Sequence, residues 1–200
     1  MHLPNTHLPT VQEISALLSA GGIIVFPTET FYGLGCDPWN LSAVERIFAL
    51  KGRPDGKPLP LVIPRGDPAK FGIHLTPIAQ DYAVRHWPAP LTLVVPATGF
   101  PAAVTAGTDT VAVRRSPHPF LADLMAVWAK PLIATSANRS GEPALVDLAG
   151  VRKAFPAGVD VFVDGGRLPG KLGSTVLDCT GEKAVVLRAG DFPFEAPPNR

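Results

Sequence analysis

The chain has 200 residues, of which 46% are hydrophobic and 18% are charged, and its formal net charge is +1. This composition is typical of a globular protein with a sizeable core and excludes an intrinsically disordered chain. Because the net charge is so small, any affinity for phosphate or nucleic acid has to come from locally clustered charges. The two cysteines, Cys36 and Cys179, are too few for a disulfide scaffold or a thiolate metal site.

The N-terminal residues show no basic segment followed by an apolar one, so they do not resemble a secretory signal. No apolar run approaches the roughly 20 residues that a membrane-spanning helix needs. We therefore expect a cytoplasmic protein that does not bind membranes. We also expect a flexible N-terminal arm over residues 1–9, followed by one domain over residues 10–200.

Helix signals recur along the chain. Thr10 and Ser42 each precede a glutamate by three positions, which is the capping-box pattern that begins a helix. Glycine is expected to end both helices, at Gly21 and at Gly52. The predicted helices cover residues 10–20, 42–51, 77–87, 119–129 and 147–155.

Apolar runs between these helices predict strands. Residues 23–26 are all apolar, which indicates a strand buried on both faces, and the polar, glycine-rich residues 27–37 predict a loop after it. Helices alternate with strands early and strands cluster late, so we expect an α/β fold with a mixed β-sheet flanked by helices. The predicted strands cover residues 23–26, 59–63, 91–95, 110–114, 132–135, 159–163, 174–178 and 184–188.

Several catalytic signatures are absent from the sequence. It contains no P-loop, no dinucleotide-binding glycine motif after a strand, and no nucleophile elbow. Its five histidines are not spaced as metal ligands on any predicted element, and no CxxC or HExxH pair occurs. The sequence therefore gives no support to nucleophilic, dinucleotide-dependent or zinc-dependent chemistry.

Two short polar clusters lie where predicted elements end. Lys51-Gly52-Arg53 closes a helix, and Ser136-Ala137-Asn138 follows a strand. A lysine point charge beside the planar arginine fork suits an anion with several oxygens, while Ser and Asn supply neutral donors and acceptors at a strand end. Together they predict part of a nucleotide site. Taken singly, Lys51 also suits a helix C-terminus, and Ser136 and Asn138 also suit a turn.

Other basic and hydroxyl residues share this placement at the ends of predicted elements. Such ends converge at the rim of an α/β sheet, so these side chains can line one crevice. A crevice rich in cations and hydroxyls, with few carboxylates, fits a polyphosphate and a small carboxylate better than acid–base catalysis by paired carboxylates. The residues are Thr28, Thr30, Tyr32, Lys57, Thr110, Arg114, Ser174 and Arg188.

Seven segments, in chain order, resemble the successive motifs of the YrdC-type threonylcarbamoyl-AMP synthases. The resemblance runs from about Gly22 to Gly190 and includes the paired Lys-x-Arg and Ser-x-Asn signature. It departs from the family at Lys57, where many members carry Asn, and at Val62, where some carry His. The segments are PTETFYGLG, KGRPDGKPL, WPAPLTLVV, TVAVRRSPHP, PLIATSANRSGEP, STVLD and VLRAG.

The resemblance implies a single-domain twisted α/β fold with a concave, positively charged cavity, in the family's short form. It also implies that L-threonine, bicarbonate and ATP, with Mg²⁺ as cofactor, give threonylcarbamoyl-adenylate and pyrophosphate. A separate tRNA threonylcarbamoyl transferase complex would then use the adenylate to modify the adenosine beside the anticodon.

Motif positions assign roles to individual residues by the same resemblance. Lys51 and Arg53 would be the main catalytic residues, because they stabilise charge on the phosphoryl oxygens and the leaving pyrophosphate. The threonine-binding residues would be Thr30, Arg114 and Ser174, with Arg114 facing the carboxylate. No protein side chain is assigned to the metal. The ATP-binding residues would be Lys51, Arg53, Lys57, Thr110, Ser136, Asn138 and Arg188.

Two further hypotheses stay open at this point. One is a YrdC-like paralogue that binds nucleotide or double-stranded RNA, or binds tRNA weakly, through phosphate contacts and without this activity. The other is a stand-alone relative of the YrdC-like module in hydrogenase-maturation carbamoyltransferases. The sequence lacks the acylphosphatase-like and zinc-finger segments of those proteins, which argues against the second of these hypotheses.

Overall fold

The computed structural model describes residues 9–52 and 57–194. The predicted N-terminal arm lies outside this part of the chain, except for Pro9. The described helices are α1 (Val11–Ser19), α2 (Leu41–Lys51), α3 (Pro77–His86), α4 (Ala102–Thr105), α5 (Pro119–Trp128) and α6 (Leu148–Ala154), with a 3-10 helix at Pro68–Phe71. The described strands are β1 (Ile24–Phe26), β2 (Gly33–Gly35), β3 (Leu61–Val62), β4 (Leu91–Pro96), β5 (Thr110–Arg114), β6 (Leu132–Ile133), β7 (Thr135–Ser136), β8 (Val161–Phe162), β9 (Thr175–Asp178) and β10 (Val185–Arg188).

The helix starts follow local capping chemistry. Thr10 and Glu13 form the predicted capping box at the start of α1, with the Thr10 N–H donating to Glu13 Oε2 at 2.8 Å. The capping box predicted at Ser42 is wrong. Asn40 Oδ1 accepts the Ala43 N–H at 3.0 Å, so the N-cap lies two positions earlier and Ser42 lies inside the first turn.

The segment predicted as a loop over residues 27–37 contains a strand. β2 pairs antiparallel with β1, placing Gly35 opposite Ile24. A Cβ on Gly35 would lie 1.9 Å from the Ile133 backbone oxygen, so only glycine allows the two backbones to come this close. Gly35, one of the glycines that predicted a loop, therefore allows β2 to pack closely against β6 of the other sheet.

The strand predicted over residues 132–135 is divided between two sheets. β6 pairs with β3, while β7 pairs with β2, and Ala134 between them donates its N–H to the Pro60 oxygen at 2.8 Å. We call residues 134–136 the crossing segment. It joins the two sheets at one point of the chain.

The expected mixed α/β architecture is confirmed, with the strands distributed over two sheets. The strand orders are β7-β2-β1-β8 and β10-β9-β4-β5-β3-β6. Each sheet combines parallel and antiparallel pairs: β1 with β8, β3 with β5, and β4 with β9 are parallel. The six-stranded sheet places β5 and β9 on either side of β4, and all three strands contribute residues to the candidate site.

Two hydrophobic clusters hold these elements. The larger contains residues from both sheets and α2, whereas the smaller packs α1 and α5 against β1 and β6, with Phe26 and Trp128 among its buried members. Burial of such large apolar side chains is the main stabilising contribution. In the part of the chain that the structure describes, no helix has both the length and the apolar character to cross a membrane.

Candidate functional site

A cavity of about 380 Å³ lies against one face of the six-stranded sheet. Because side chains alternate along a strand, Ala112 and Arg114 of β5 point to the same face, and both line the cavity. The β1–β2 loop and the crossing segment form the remaining walls, together with Leu172 and Gly173. The predicted site residues that line it are Thr30, Arg114, Ser136, Ser174 and Arg188.

The β1–β2 loop is shaped by the Thr28 hydroxyl. This hydroxyl donates to the Phe31 oxygen at 2.7 Å and accepts the Thr30 N–H at 3.1 Å, so it closes a tight turn just after β1. Thr28 and Thr30 both line the cavity, and their hydroxyl oxygens lie 3.1 Å apart. The turn therefore presents two hydrogen-bonded hydroxyls to the cavity.

Arg114 enters the cavity from the end of β5. Its backbone is fixed by the parallel pairing with Val62 and by the Ile63 N–H, which donates to the Arg114 oxygen at 3.0 Å. Its guanidinium forms an ion pair with Glu29, and Ser116 donates a hydrogen bond to the same carboxylate. Arg114 is thus held in place both by its backbone hydrogen bonds and by the ion pair of its side chain.

Ser174, which immediately precedes β9, and Arg188 at the end of β10 form a second polar group. Arg188 Nη2 donates to the Ser174 backbone oxygen at 2.8 Å and to Ser174 Oγ at 3.1 Å. Ser174 Oγ also lies 2.9 Å from Thr92 Oγ1, which is buried on β4. Partial burial, and then the nearby Arg114 charge, lower the pKa of Arg188. Arg114 and Arg188 both line the cavity, so an anion bound there would be stabilised by both guanidinium groups.

The two polar clusters singled out in the sequence are in direct contact. Lys51 is 3% exposed, and its ammonium group donates to the backbone oxygens of Ser136 and Asn138. The Asn138 amide nitrogen donates to the Glu142 oxygen at 2.6 Å, while its Oδ1 is buried without a hydrogen-bond partner among the described residues. Lys51 and Asn138 thus lie behind Ser136, which itself faces the cavity.

The other predicted site residues occupy different positions. Thr110 lies on the same face of β5 as Arg114 but beyond the described cavity lining, and its Oγ1 lies 3.0 Å from Thr108 Oγ1. Lys57 is exposed and immediately precedes Pro58, which lines the cavity. Arg53 lies outside the described residues. Val62, one of the departures from the family pattern, is buried in the smaller hydrophobic cluster.

Thr92 and Glu29 belong to this site but were not predicted from the sequence. Thr92 lines the cavity, and its signal was visible as a single polar residue within the apolar run of β4. Glu29 pairs with Arg114 although 85 positions separate them along the chain, so no local pattern indicated it. Tyr32 also lines the cavity; its hydroxyl donates to the Gly166 oxygen at 2.8 Å, and burial raises its pKa.

The described residues around the cavity supply cations and hydroxyls, and the nearby Glu29 carboxylate is already paired with Arg114. Within residues 9–52 and 57–194, no group of three or more His, Cys, Asp and Glu side chains could hold a metal ion. Both thiols are buried, and burial raises the pKa of Cys36 to about 12 and that of Cys179 to about 11. The arrangement therefore suits binding and orientation of an anionic ligand, with no thiolate in the cavity.

The chain is similar to a known protein family and to individual proteins of that family. Residues 16–190 match the sequence profile of the Sua5/YciO/YrdC family, which is described as telomere recombination. A threonylcarbamoyl-AMP synthase from Xanthomonas oryzae pv. oryzae is 40% identical over 164 residues, covering 80% of this chain and 88% of that protein. One from Pyrococcus abyssi is 37% identical over 183 residues, covering 90% of this chain. The chain spans about half, 54%, of that second relative.

Solved structures show the same similarity. The crystal structure of Pyrococcus abyssi Sua5 complexed with L-threonine matches with a TM-score of 0.87 and 35% identity, covering 95% of this chain and 56% of that one. The crystal structure of Escherichia coli YciO matches with a TM-score of 0.83 and 25% identity, covering 96% of this chain and 94% of that one. The two-sheet arrangement around the cavity is thus a recurring fold.

Proposed function

Because the chain belongs to the Sua5/YciO/YrdC family, we propose that it is a threonylcarbamoyl-AMP synthase. It would convert L-threonine, bicarbonate and ATP into threonylcarbamoyl-adenylate and pyrophosphate, which makes it a nucleotidyltransferase. The observation that carries this proposal is the Arg114 guanidinium at the wall of a cavity also lined by Thr30 and Ser174. A guanidinium beside hydroxyls suits an amino acid that carries both a carboxylate and a hydroxyl.

We assign threonine to the side of the cavity nearest Arg114. The guanidinium would pair with the substrate carboxylate, and the Thr30 and Ser174 hydroxyls would bind the remaining polar groups. Arg188 reaches Ser174 directly, so it lies where the threonine and nucleotide portions of the product would meet. This placement supports a role for Arg188 beside the phosphate of the adenylate.

ATP would extend from Arg188 along the crossing segment. Ser136 faces the cavity, and Lys51 holds the loop that follows it, so the two clusters would form one side of the nucleotide site. Asn138 would contribute through the same loop. The remaining members of the proposed nucleotide site are Arg53, Lys57 and Thr110.

The chemistry requires positioning and charge stabilisation. The threonine amine first reacts with bicarbonate or CO2 to give a carbamate, with water as the by-product when bicarbonate is used. A carbamate oxygen then attacks the α-phosphorus of ATP, a new P–O bond forms, and the bond to the leaving pyrophosphate breaks. Cations beside the phosphoryl oxygens stabilise the developing charge, and fixed reactants lower the entropic barrier.

Mg²⁺ is proposed as the cofactor that accompanies ATP. The donor set fits an ion held by phosphate oxygens, since the cavity lining in the described residues offers hydroxyls and guanidinium groups but no carboxylate, and the nearby Glu29 is engaged by Arg114. When bound, the ion would supply additional charge neutralisation on the phosphates. Arg188 and the Lys51-supported loop would orient the phosphates.

We further propose that the product passes to a tRNA threonylcarbamoyl transferase complex in the cytoplasm, where tRNA and ATP are available. Threonylcarbamoyl-adenylate is a mixed anhydride, so it can transfer its acyl group to a nucleophilic base and release AMP. Weak binding of tRNA or double-stranded RNA would assist this transfer and would depend on salt.

The test is release of pyrophosphate by the purified protein supplied with ATP, Mg²⁺, bicarbonate and threonine. We expect release that requires both threonine and bicarbonate. The matched reaction without threonine measures background ATP hydrolysis. Absence of threonine-dependent release, combined with retained binding of double-stranded RNA, would replace this proposal with the non-catalytic paralogue.

A further inference from the structure

Glu29 is the partner of the arginine that faces the cavity. One of its carboxylate oxygens accepts a hydrogen bond from Arg114 Nη1, and the other accepts one from Ser116 Oγ. The side chains of Arg114 and Glu29 are only 9% and 12% exposed, so little solvent screens the pair. In the described structure Glu29 lies behind the cavity lining, while Thr28 and Thr30 on either side of it face the cavity.

The hydrogen bonds of this pair leave part of the guanidinium available. Among the described residues, Glu29 is the hydrogen-bond partner of the Arg114 side chain, and it binds through Nη1. Arginine has five N–H donors in a planar fork, so the remaining donors can bind a second carboxylate from the cavity side. Glu29 therefore fixes the plane of the guanidinium without occupying its whole donor set.

Ser116 fixes Glu29 in turn. Its hydroxyl, which is buried, binds the carboxylate and also accepts the His118 N–H at 3.2 Å. His118 is the residue immediately before α5, so this contact ties the carboxylate to the start of a helix. The Glu29 side chain is consequently supported on both oxygens, one by Arg114 and one by Ser116.

We propose that Glu29 is a positioning residue for the carboxylate of the amino-acid substrate, acting through Arg114. This inference rests on the proposed function and adds a specificity element to it. With Glu29 in place, the oriented guanidinium favours substrates that carry a carboxylate next to the reacting amine. Without it, Arg114 shares the cavity with a second guanidinium, that of Arg188, and has no carboxylate to hold its orientation.

The direction in which the KM values change in Glu29→Gln distinguishes a positioning role of Glu29 from a purely electrostatic one. If Glu29 acted only through its negative charge, the Glu29→Gln change would strengthen binding of any anion in the cavity, and the KM values for threonine and ATP would both fall. If Glu29 positions Arg114, the KM for threonine rises by about tenfold, as expected for weakening a charged hydrogen bond. The KM for ATP then stays near its wild-type value.

A comparison of threonine with threoninol measures the preference for the substrate carboxylate directly. Threoninol carries a primary alcohol where threonine has its carboxylate, so it keeps the reacting amine and the side-chain hydroxyl. We expect the wild-type protein to prefer threonine strongly and the Glu29→Gln variant to lose most of that preference. Ser116→Ala keeps the Glu29 charge and removes one support, so it should shift the preference in the same direction by a smaller factor.

Glu182→Gln is the matched control, since Glu182 is exposed and the substitution removes the same charge with the same change of shape. Its KM values and its preference for threonine should equal those of the wild type. If circular dichroism shows that Glu29→Gln does not fold, the ratio of activity with threonine to activity with threoninol is measured in Ser116→Ala instead. An unchanged ratio in the folded variant would overturn the inference while leaving the proposed function intact. A wild-type protein that neither binds threonine calorimetrically nor forms the adenylate would overturn both.

Discussion

Lys51 Nζ lies 2.8 Å from the backbone oxygen of Asn138, so a helix end and a loop 87 positions away are joined directly. A second hydrogen bond from the same ammonium group reaches the Ser136 oxygen. Lys51 thereby fixes the backbone on which Ser136 faces the cavity. This contact gives the lysine a structural role beside any contact it makes with phosphate.

The first prediction concerns this lysine. Lys51→Met keeps the length and apolar stem of the side chain but removes the ammonium group, so the Ser136 and Asn138 oxygens each lose a charged donor. The free energy of unfolding should fall by about 3 kcal/mol, as expected when charged hydrogen bonds are lost from a buried site. Urea denaturation measures this change.

Lys153→Met is the control for that substitution. Lys153 is exposed in the last turn of α6, so its replacement should change the unfolding free energy by less than about 1 kcal/mol. Adenylate formation should fall sharply in Lys51→Met and stay unchanged in Lys153→Met. If Lys51→Met matched the control in stability, the contacts to the Ser136 and Asn138 oxygens would not be stabilising the loop.

The second prediction concerns the Arg188–Ser174 contact. Because Arg188 Nη2 binds Ser174 Oγ at 3.1 Å, the effects of Arg188→Ala and Ser174→Ala on kcat/KM for threonine should not add. A double-mutant cycle should give a coupling energy of about 1 kcal/mol, the size expected for residues in direct contact. Steady-state kinetics of the four proteins provide the values.

A second double-mutant cycle, which combines Arg188 with a distant serine, is the control. Ser19 is exposed at the end of α1, and Ser19→Ala should combine additively with Arg188→Ala. Full additivity for Ser174 as well would mean that Arg188 and Ser174 contribute independently to the reaction.

The third prediction tests how closely β2 packs against β6. In Gly35→Ala the new Cβ would lie 1.9 Å from the Ile133 backbone oxygen, and backbone atoms must move to accept it. Stability should fall by about 3 kcal/mol, the upper part of the usual range for overpacking a core. Thermal unfolding followed by circular dichroism detects the loss.

Gly181→Ala is the matched substitution, because a Cβ there meets no atom within 4 Å. Its melting temperature should stay close to the wild-type value. A Gly35→Ala protein as stable as Gly181→Ala would show that β2 and Ile133 lie farther apart than the structure places them.

The fourth prediction concerns the two thiols. Burial raises the pKa of Cys36 to about 12 and that of Cys179 to about 11, so both are protonated at pH 8 as well as inaccessible. Native protein should react slowly with a thiol reagent at that pH, whereas urea-unfolded protein should react quickly at both cysteines. Rapid labelling of either thiol in the native state would contradict the buried positions.

The same pKa shifts set the direction of an alkaline effect on stability. The unfolded thiols lose their protons near their ordinary pKa of 9.0, while the folded thiols retain them, so stability should fall as the pH rises above 9.0. The fall should be smaller in Cys36→Ala, which removes the more strongly shifted group. Urea midpoints measured across this pH range give the comparison.

Locally encoded features were predictable from the sequence. The Thr10 capping box and the start at residue 77 of the helix predicted over residues 77–87 depend on residues a few positions apart, and both are confirmed. At α2, however, Asn40 competes successfully with Ser42 for the N-cap, which the capping-box pattern alone did not show. Such near-equal local alternatives are settled by the packing of the whole helix.

Features that depend on distant contacts were not predictable in the same way. β2 depends on its pairing with β1 and on the close packing of Gly35 against Ile133. The division of residues 132–135 between two sheets follows from pairing with β2 and β3. In the site, cations and hydroxyls at element ends were identified, whereas the Glu29 partner of Arg114 was not. Positions of polar residues can be inferred from local patterns, but their partners come from the assembled fold.

The most direct test of the account is to identify the carbon that enters the product. The protein is incubated with ATP, Mg²⁺, threonine and bicarbonate labelled with a heavy carbon isotope, and the nucleotides are analysed by mass spectrometry. The account predicts a threonylcarbamoyl-adenylate that carries the label and forms together with pyrophosphate, with little product in Lys51→Met. ATP turnover that gives no labelled adenylate, or that proceeds equally without threonine, would contradict it.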